Sequence, residues 1–262
     1  MWPSENRLRE PGIRYEMKKE LNVMPFDPYE FDPIDARSRQ PVTLGEYTAK
    51  TFLWVALGLL ITFGIGFGLW ATGGAIYLLI RMPYVHLIAL LATLFLSITM
   101  ASRIEKMSVA SARIMFIAYS ALFGITASTW LVLYDLVSVL VVFLMTAVYF
   151  GALALYGHFT HRDLSGYRSI LMSGLIFLIV FTLLSGFLPF MGGLDTLFSL
   201  VGIAIFLGFT AYDTQKIKAY YNYYAGYPDM MEKASVFSAL QLYLDFINLF
   251  LYLLRFMNRS RN

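Results

Sequence analysis

The 262-residue chain contains no cysteine, so it has no disulfide framework, no zinc–thiolate centre and no thiol nucleophile. Charge is scarce as well. Asp, Glu, Lys and Arg make up 14% of the residues, against about 25% in soluble domains. Hydrophobic residues reach 58% and mean hydropathy is +0.64. No polar stretch after residue 50 is long enough to build a soluble domain. No basic helix with interleaved stacking aromatics is present, which argues against nucleic acid as a partner. No cofactor-binding motif stands out, and no cofactor is expected. These absences leave an all-α, multi-pass membrane protein whose first partner is the lipid bilayer.

Residues 1–48 are polar and punctuated by Pro3, Pro11, Pro25, Pro28, Pro33 and Pro41. Asp-Pro-Tyr-Glu-Phe-Asp-Pro at 27–33 reads as turns. No apolar segment of signal-peptide type occurs near the start. The reading is a cytoplasmic tail over 1–48, with Phe26, Tyr29 and Phe31 available for docking a partner, followed by a transmembrane domain over 49–262.

A span needs about 20 apolar residues. Seven stretches qualify, near 51–71 (opened by 43–50), 84–101, 114–133, 136–156, 169–189, 194–215 and 236–257. Lys and Arg in short loops set orientation. One side collects eleven, including Arg37, Arg39, Lys50, Arg103, Lys106, Arg113, Arg162 and Lys216. The other collects four, of which Arg255, Arg259 and Arg261 lie in the C-terminal tail. This predicts a cytoplasmic N-terminus and, with seven full spans, an external C-terminus. A re-entrant last segment is the alternative that would return those arginines to the cytoplasm.

Polar residues inside the spans carry the functional signal. Asp213 sits at the far end of the sixth apolar run, and Asp245 near the middle of the seventh. A carboxylate in a transmembrane helix costs roughly 2.5–3.5 kcal/mol on insertion scales, so two on consecutive spans point to a paired polar site. Gln241, Asp245, Asn248 and Tyr252 fall at i, i+4, i+7 and i+11 and form one polar stripe. Lipid cannot satisfy such a stripe, so the seventh helix is expected at the centre of the bundle. The bland alternative for Asp213 is an interfacial aspartate capped by Lys216. Tyr220, Tyr221, Tyr223, Tyr224 and Tyr227 read as an interfacial anchor belt. His158 and His161 have metal-compatible spacing but no third ligand nearby, and His86 stands alone. Gly64, Gly66 and Gly68, with Gly202 and the Ala204/Gly208 pair, read as close helix contacts.

Two segments carry a resemblance: Ala211-Tyr-Asp-Thr-Gln-Lys-Ile-Lys218 and Leu242-Tyr-Leu-Asp-Phe-Ile-Asn-Leu-Phe250. Together they resemble the Bax inhibitor-1 family, in its bacterial branch. Tyr156-Gly-His-Phe-Thr-His-Arg-Asp-Leu-Ser165 and Tyr119-Ser-Ala-Leu-Phe-Gly124 are similar to that family too. The resemblance covers about residues 45–258. It implies seven transmembrane helices with the seventh surrounded by the other six, in a bacterial plasma membrane. It also implies a pH-sensitive calcium leak in which Asp213 and Asp245 are the proton sensor. In some members an arginine on the second span latches one aspartate, which makes Arg103 or Lys106 the candidate latch here.

Two carboxylates about 4 Å apart repel by roughly 4 kcal/mol at an effective dielectric near 20. A shared proton removes most of that cost, so the pair is expected to titrate as a unit. Paired carboxylates also suit Ca²⁺, and protons and Ca²⁺ would compete for Asp213 and Asp245 as cation ligands. Two rival classes stand beside this reading. One is a non-conducting regulator of a membrane protease or another membrane protein. The other is an intramembrane aspartyl protease of the presenilin type, which also carries Tyr-Asp on its sixth span. That family's second motif is Gly-x-Gly-Asp, where this chain has Leu242-Tyr-Leu-Asp245.

Overall fold

Backbone amides and carbonyls find no water in a bilayer core, so a spanning segment satisfies them within itself as a helix. The computed structural model describes residues 42–185 and 194–259. Eight α-helices follow in chain order among the described residues: α1 Leu44–Ala71, α2 Gly74–Arg81, α3 Tyr84–Arg103, α4 Val109–Leu133, α5 Leu136–Phe159, α6 Arg168–Ser185, α7 Asp195–Tyr223 and α8 Pro228–Arg259. A 3-10 turn at Ser165–Tyr167 leads into α6. Seven helices, all but α2, are long and apolar enough to cross a membrane.

Local chemistry explains where these helices begin. Thr43 and Glu46 form a reciprocal capping box that opens α1. Ser108 accepts from the Ser111 N–H at the start of α4, and Asp135 from the Ser138 N–H at the start of α5. The box at Thr43 starts α1 inside the stretch assigned to the tail. The remaining tail residues, including Phe26, Tyr29, Phe31, Arg37 and Arg39, lie outside the described residues, as do 190–193 and Arg261. The eight-residue α2 fills the interval between the first two spans, and was too short to register as a span.

The largest departure from the sequence reading lies between α7 and α8. A loop of about 20 residues was expected there, but only 224–227 separate the two helices. Hydropathy falls at Lys216 and rises again at Val236, yet a helix leaving hydrocarbon for headgroups need not stop. Gly226, at a φ of +90°, makes the turn that L residues avoid, and Pro228 opens α8 where its missing N–H costs no hydrogen bond. α8 then runs for 32 residues, about 48 Å at 1.5 Å per residue. It has none of the reversal that a re-entrant segment requires.

α8 is the central helix. It packs against α7, α1, α5, α4 and α3. α6 is different, because it leans mainly on α7 and meets α8 through a Tyr252–Thr182 hydrogen bond. The heart of the bundle is aromatic. Tyr243 is fully buried, its ring edge-on to Phe116, Tyr119 and Phe123 at 6.1, 5.7 and 6.3 Å. Its hydroxyl lies 2.6 Å from that of Thr62, which donates to the Ser120 carbonyl. Of the three predicted contact glycines in α1, a Cβ added at Gly66 would lie 3.4 Å from the backbone of Gly124 and Ser128, whereas one added at Gly64 or Gly68 would meet open space.

Four connections converge on one end of the bundle. Thr51 on α1 meets Ser235 on α8 at 3.0 Å. Glu232 pairs with both Lys50 and Arg113. Lys233, itself buried, donates to the Glu105 carbonyl at 3.0 Å. The α5–α6 connection joins them through Gln215, described below. This is the end that gathers the basic residues of the majority side.

Candidate functional site

The site is built where α7 and α8 cross. On α7, Thr210, Asp213, Thr214 and Ile217 fall on one buried face. The two threonines spend their hydroxyls on their own helix, Thr210 donating to the Phe206 carbonyl and Thr214 to the Thr210 carbonyl. That leaves the Asp213 carboxyl as the polar group this face offers to α8. On α8, Asp245 lies between the buried Tyr243 and Phe246. Asp213 is 8% exposed and Asp245 4%, and the two carboxyls interact with each other directly.

A cation completes the cluster, and it comes from the same helix. Lys216 Nζ lies 3.8 Å from Asp213 Oδ1 and donates to Gln241 Oε1 at 3.4 Å. The rings of Tyr212 and Tyr220 lie 5.9 and 5.3 Å from it. Asp245 Oδ2 is buried and has no hydrogen-bond partner.

The predicted residues therefore divide. Gln241 and Asp245 join Asp213 in one polar cluster. Asn248 turns back to donate to the Leu244 carbonyl of its own helix at 2.8 Å. Tyr252 stacks on Phe206 at 5.8 Å and covers Gly202, where an added Cβ would strike its ring. Arg103 and Lys106 sit exposed at the end of α3, and neither pairs with an aspartate. Arg103 ends a helix whose packing on α8 is slight. The cation that lies beside Asp213 is Lys216. His158 and His161 hold no metal-like arrangement, and no group of three or more His, Asp or Glu comes together among the described residues.

Sequence reasoning missed a clamp beside the pair. Gln215 accepts from the Leu164 N–H at 2.8 Å and donates to the Arg162 carbonyl at 2.7 Å. It pins the α5–α6 connection to α7, two residues from Asp213. The pinned segment is shaped by Asp163, whose carboxyl accepts from the Ser165 N–H and hydroxyl. Those bonds, the backbone one first, hold Asp163 below the usual carboxylate range. One turn back, Gly157 presses against the Ala211 carbonyl so closely that no Cβ fits. The clue was Gln215 itself, a helix-borne amide inside the Asp213 motif.

Residues 44–262 match the family model described as "Inhibitor of apoptosis-promoting Bax1". The chain belongs to the Bax inhibitor-1 family. Among its relatives in the family is the inner membrane protein YbhL of Escherichia coli strain K12, 38% identical over 222 residues, covering 83% of this chain and 93% of the relative. A Rickettsia prowazekii protein is 37% identical over 219 residues, covering 84% and 92%. A membrane protein of Streptococcus pyogenes serotype M1 is 32% identical over 225 residues, covering 85% and 96%. The matched region of this Bax inhibitor-1 protein takes in the whole helical bundle and both aspartates.

Proposed function

We propose that this protein is a pH-sensitive calcium leak of a bacterial plasma membrane, oriented with its N-terminus in the cytoplasm. Asp213 and Asp245 act as its proton sensor and as cation ligands. The observation that carries this reading is the interacting carboxyl pair, buried between α7 and the central α8. Two acids in such a place are costly for packing alone. With one shared proton the pair holds a single negative charge. Losing that proton leaves two anionic oxygen donors, suited to a hard cation. Gaining a second proton removes the charge altogether. Acid therefore displaces Ca²⁺, and alkali favours its binding.

The test is Ca²⁺ binding and flux with purified protein in liposomes, across mildly acidic to mildly alkaline pH. Wild type is expected to pass Ca²⁺ with a pH-dependent rate. Asp213→Asn and Asp245→Asn should each weaken Ca²⁺ binding by at least about tenfold, as loss of one close charge–charge attraction implies, and should flatten the pH profile. If both variants keep wild-type affinity and profile, the aspartates are structural. Bound Ca²⁺ without flux would instead favour a non-conducting regulator of other membrane proteins.

A further inference from the structure

Lys216 is the unexplained member of the cluster. A lysine at the end of an apolar span ordinarily extends its amine to water or headgroups. Here the amine folds back into the crossing of α7 and α8. It lies 3.8 Å from Asp213 Oδ1 and 3.4 Å from Gln241 Oε1, with its side chain only 27% exposed. Its charge also acts on Asp245, whose buried Oδ2 has no hydrogen-bond partner. The ammonium thus marks a place where a cation is stable, and oxygens from both helices surround it. Gln241 contributes a neutral amide oxygen, a donor type that hard divalent cations accept beside carboxylates and water.

We propose that Lys216 is a tethered cation occupying a divalent-cation site formed by Asp213, Asp245 and Gln241, and that an entering cation must displace it. The proposal rests on the reading of the aspartate pair as a cation site, and it adds a third ligand and a built-in competitor. A competitor tied to the same helix is always present at high local concentration. It weakens the apparent affinity of the site without blocking it. Removal of the bound amine would leave space and negative potential for the inorganic ion. Lys216 then sets the concentration at which the site fills, and Gln241 favours an ion with oxygen ligands.

The experiment uses the full chain in neutral phosphatidylcholine nanodiscs, with Ca²⁺ as the probe, at one fixed mildly alkaline pH. Titration calorimetry on Lys216→Met is expected to show Ca²⁺ binding about tenfold tighter than wild type, the effect of removing one nearby positive charge. Lys216→Arg should stay near wild type. Adding Gln241→Leu to Lys216→Met should cancel most of the gain. Unchanged or weaker binding by Lys216→Met overturns the proposal. A second measurement needs no variant. Acetylation of Lys216 in the wild-type protein by an amine-reactive reagent, read by mass spectrometry, should rise several-fold when Ca²⁺ saturates. Labelling that ignores Ca²⁺ overturns the displacement, whether or not the variants fold. The underlying reading fails separately. If Asp213→Asn and Asp245→Asn bind Ca²⁺ like wild type, the pair is not a cation site. If they lose Ca²⁺ while Lys216→Met gains nothing, the pair stands and the tethered-cation proposal falls.

Discussion

α8 and α6 are both spans, yet they occupy opposite environments. Within the most apolar eighteen-residue stretch of each, 67% of α8 is buried against 6% of α6. The order is the reverse of what apolarity alone would suggest, because α8 is the least hydropathic of the seven spans. Ile170, Ile176, Phe177, Ile179 and Leu183 of α6 are exposed, as suits a helix facing acyl chains. Lipid tails are as apolar as leucine, so no hydrophobic force draws a greasy helix inward. Polar side chains do the sorting: Gln241 and Asp245 cannot face lipid, and they take α8 to the centre.

The sharpest way to break this contrast is to fill a glycine on each side of it. Gly202 on α7 lies under the Tyr252 ring of α8, and an added Cβ meets rigid ring atoms. A Cβ added at Gly174 on α6 would meet the flexible Ile205 side chain, its Cδ1 at 2.7 Å and its Cγ1 at 3.1 Å. Gly202→Val is expected to cost about 3 kcal/mol or more by overpacking, and Gly174→Val less than about 1.5 kcal/mol. Steric-trapping measurements of unfolding in bicelles would check this. Equal costs would mean that the centre and the rim are packed alike.

A leucine comparison comes next in size. Leu249 on α8 is fully buried, whereas Leu183 on α6 is 64% exposed. Leu249→Ala should lower stability by about 2 kcal/mol through lost packing. Leu183→Ala, which trades one lipid contact for another, should fall within about 0.5 kcal/mol of wild type. Thermal-shift curves in one detergent would separate them.

The smallest effect concerns the tie between the two helices. Tyr252→Phe removes the hydrogen bond to Thr182 while keeping the ring over Gly202. The expected loss is about 0.6 kcal/mol, the usual size for such bonds between membrane helices. Thr182→Val should match it. A double variant with no further loss would assign the effect to that single bond.

Much of this was legible in the sequence, for definite reasons. The seven spans are visible because hydrocarbon demands long apolar runs. The centrality of α8 is visible because four polar residues recur on one helical face. The fate of each polar residue was less visible. Asn248 can satisfy itself on the Leu244 carbonyl, so its place in the stripe says nothing about partners. As a partner of Asp213, Lys216 enters the sequence reading only through the disfavoured alternative of a capped interfacial aspartate, and only the crossing with α8 brings Gln241 to its amine. Arg103 and Lys106 were assigned by resemblance, and spacing along the chain holds no information about their distance from Asp213. Helix ends were misplaced where α7 and α8 outrun their apolar cores, since hydropathy marks the membrane boundary and the backbone turn lies beyond it.

The tight turn at 224–227 bears on how the protein is made. Asp213 and Asp245 leave the ribosome 32 residues apart, on the two arms of one hairpin. Each arm alone would carry a carboxyl into hydrocarbon at roughly 2.5–3.5 kcal/mol. As a hairpin the arms present those groups to each other. α1, α4 and α5, which cradle α8, precede it in the chain and await it in the membrane. The innermost helix is thus the last of the seven spans to be synthesised, and it enters between helices made before it.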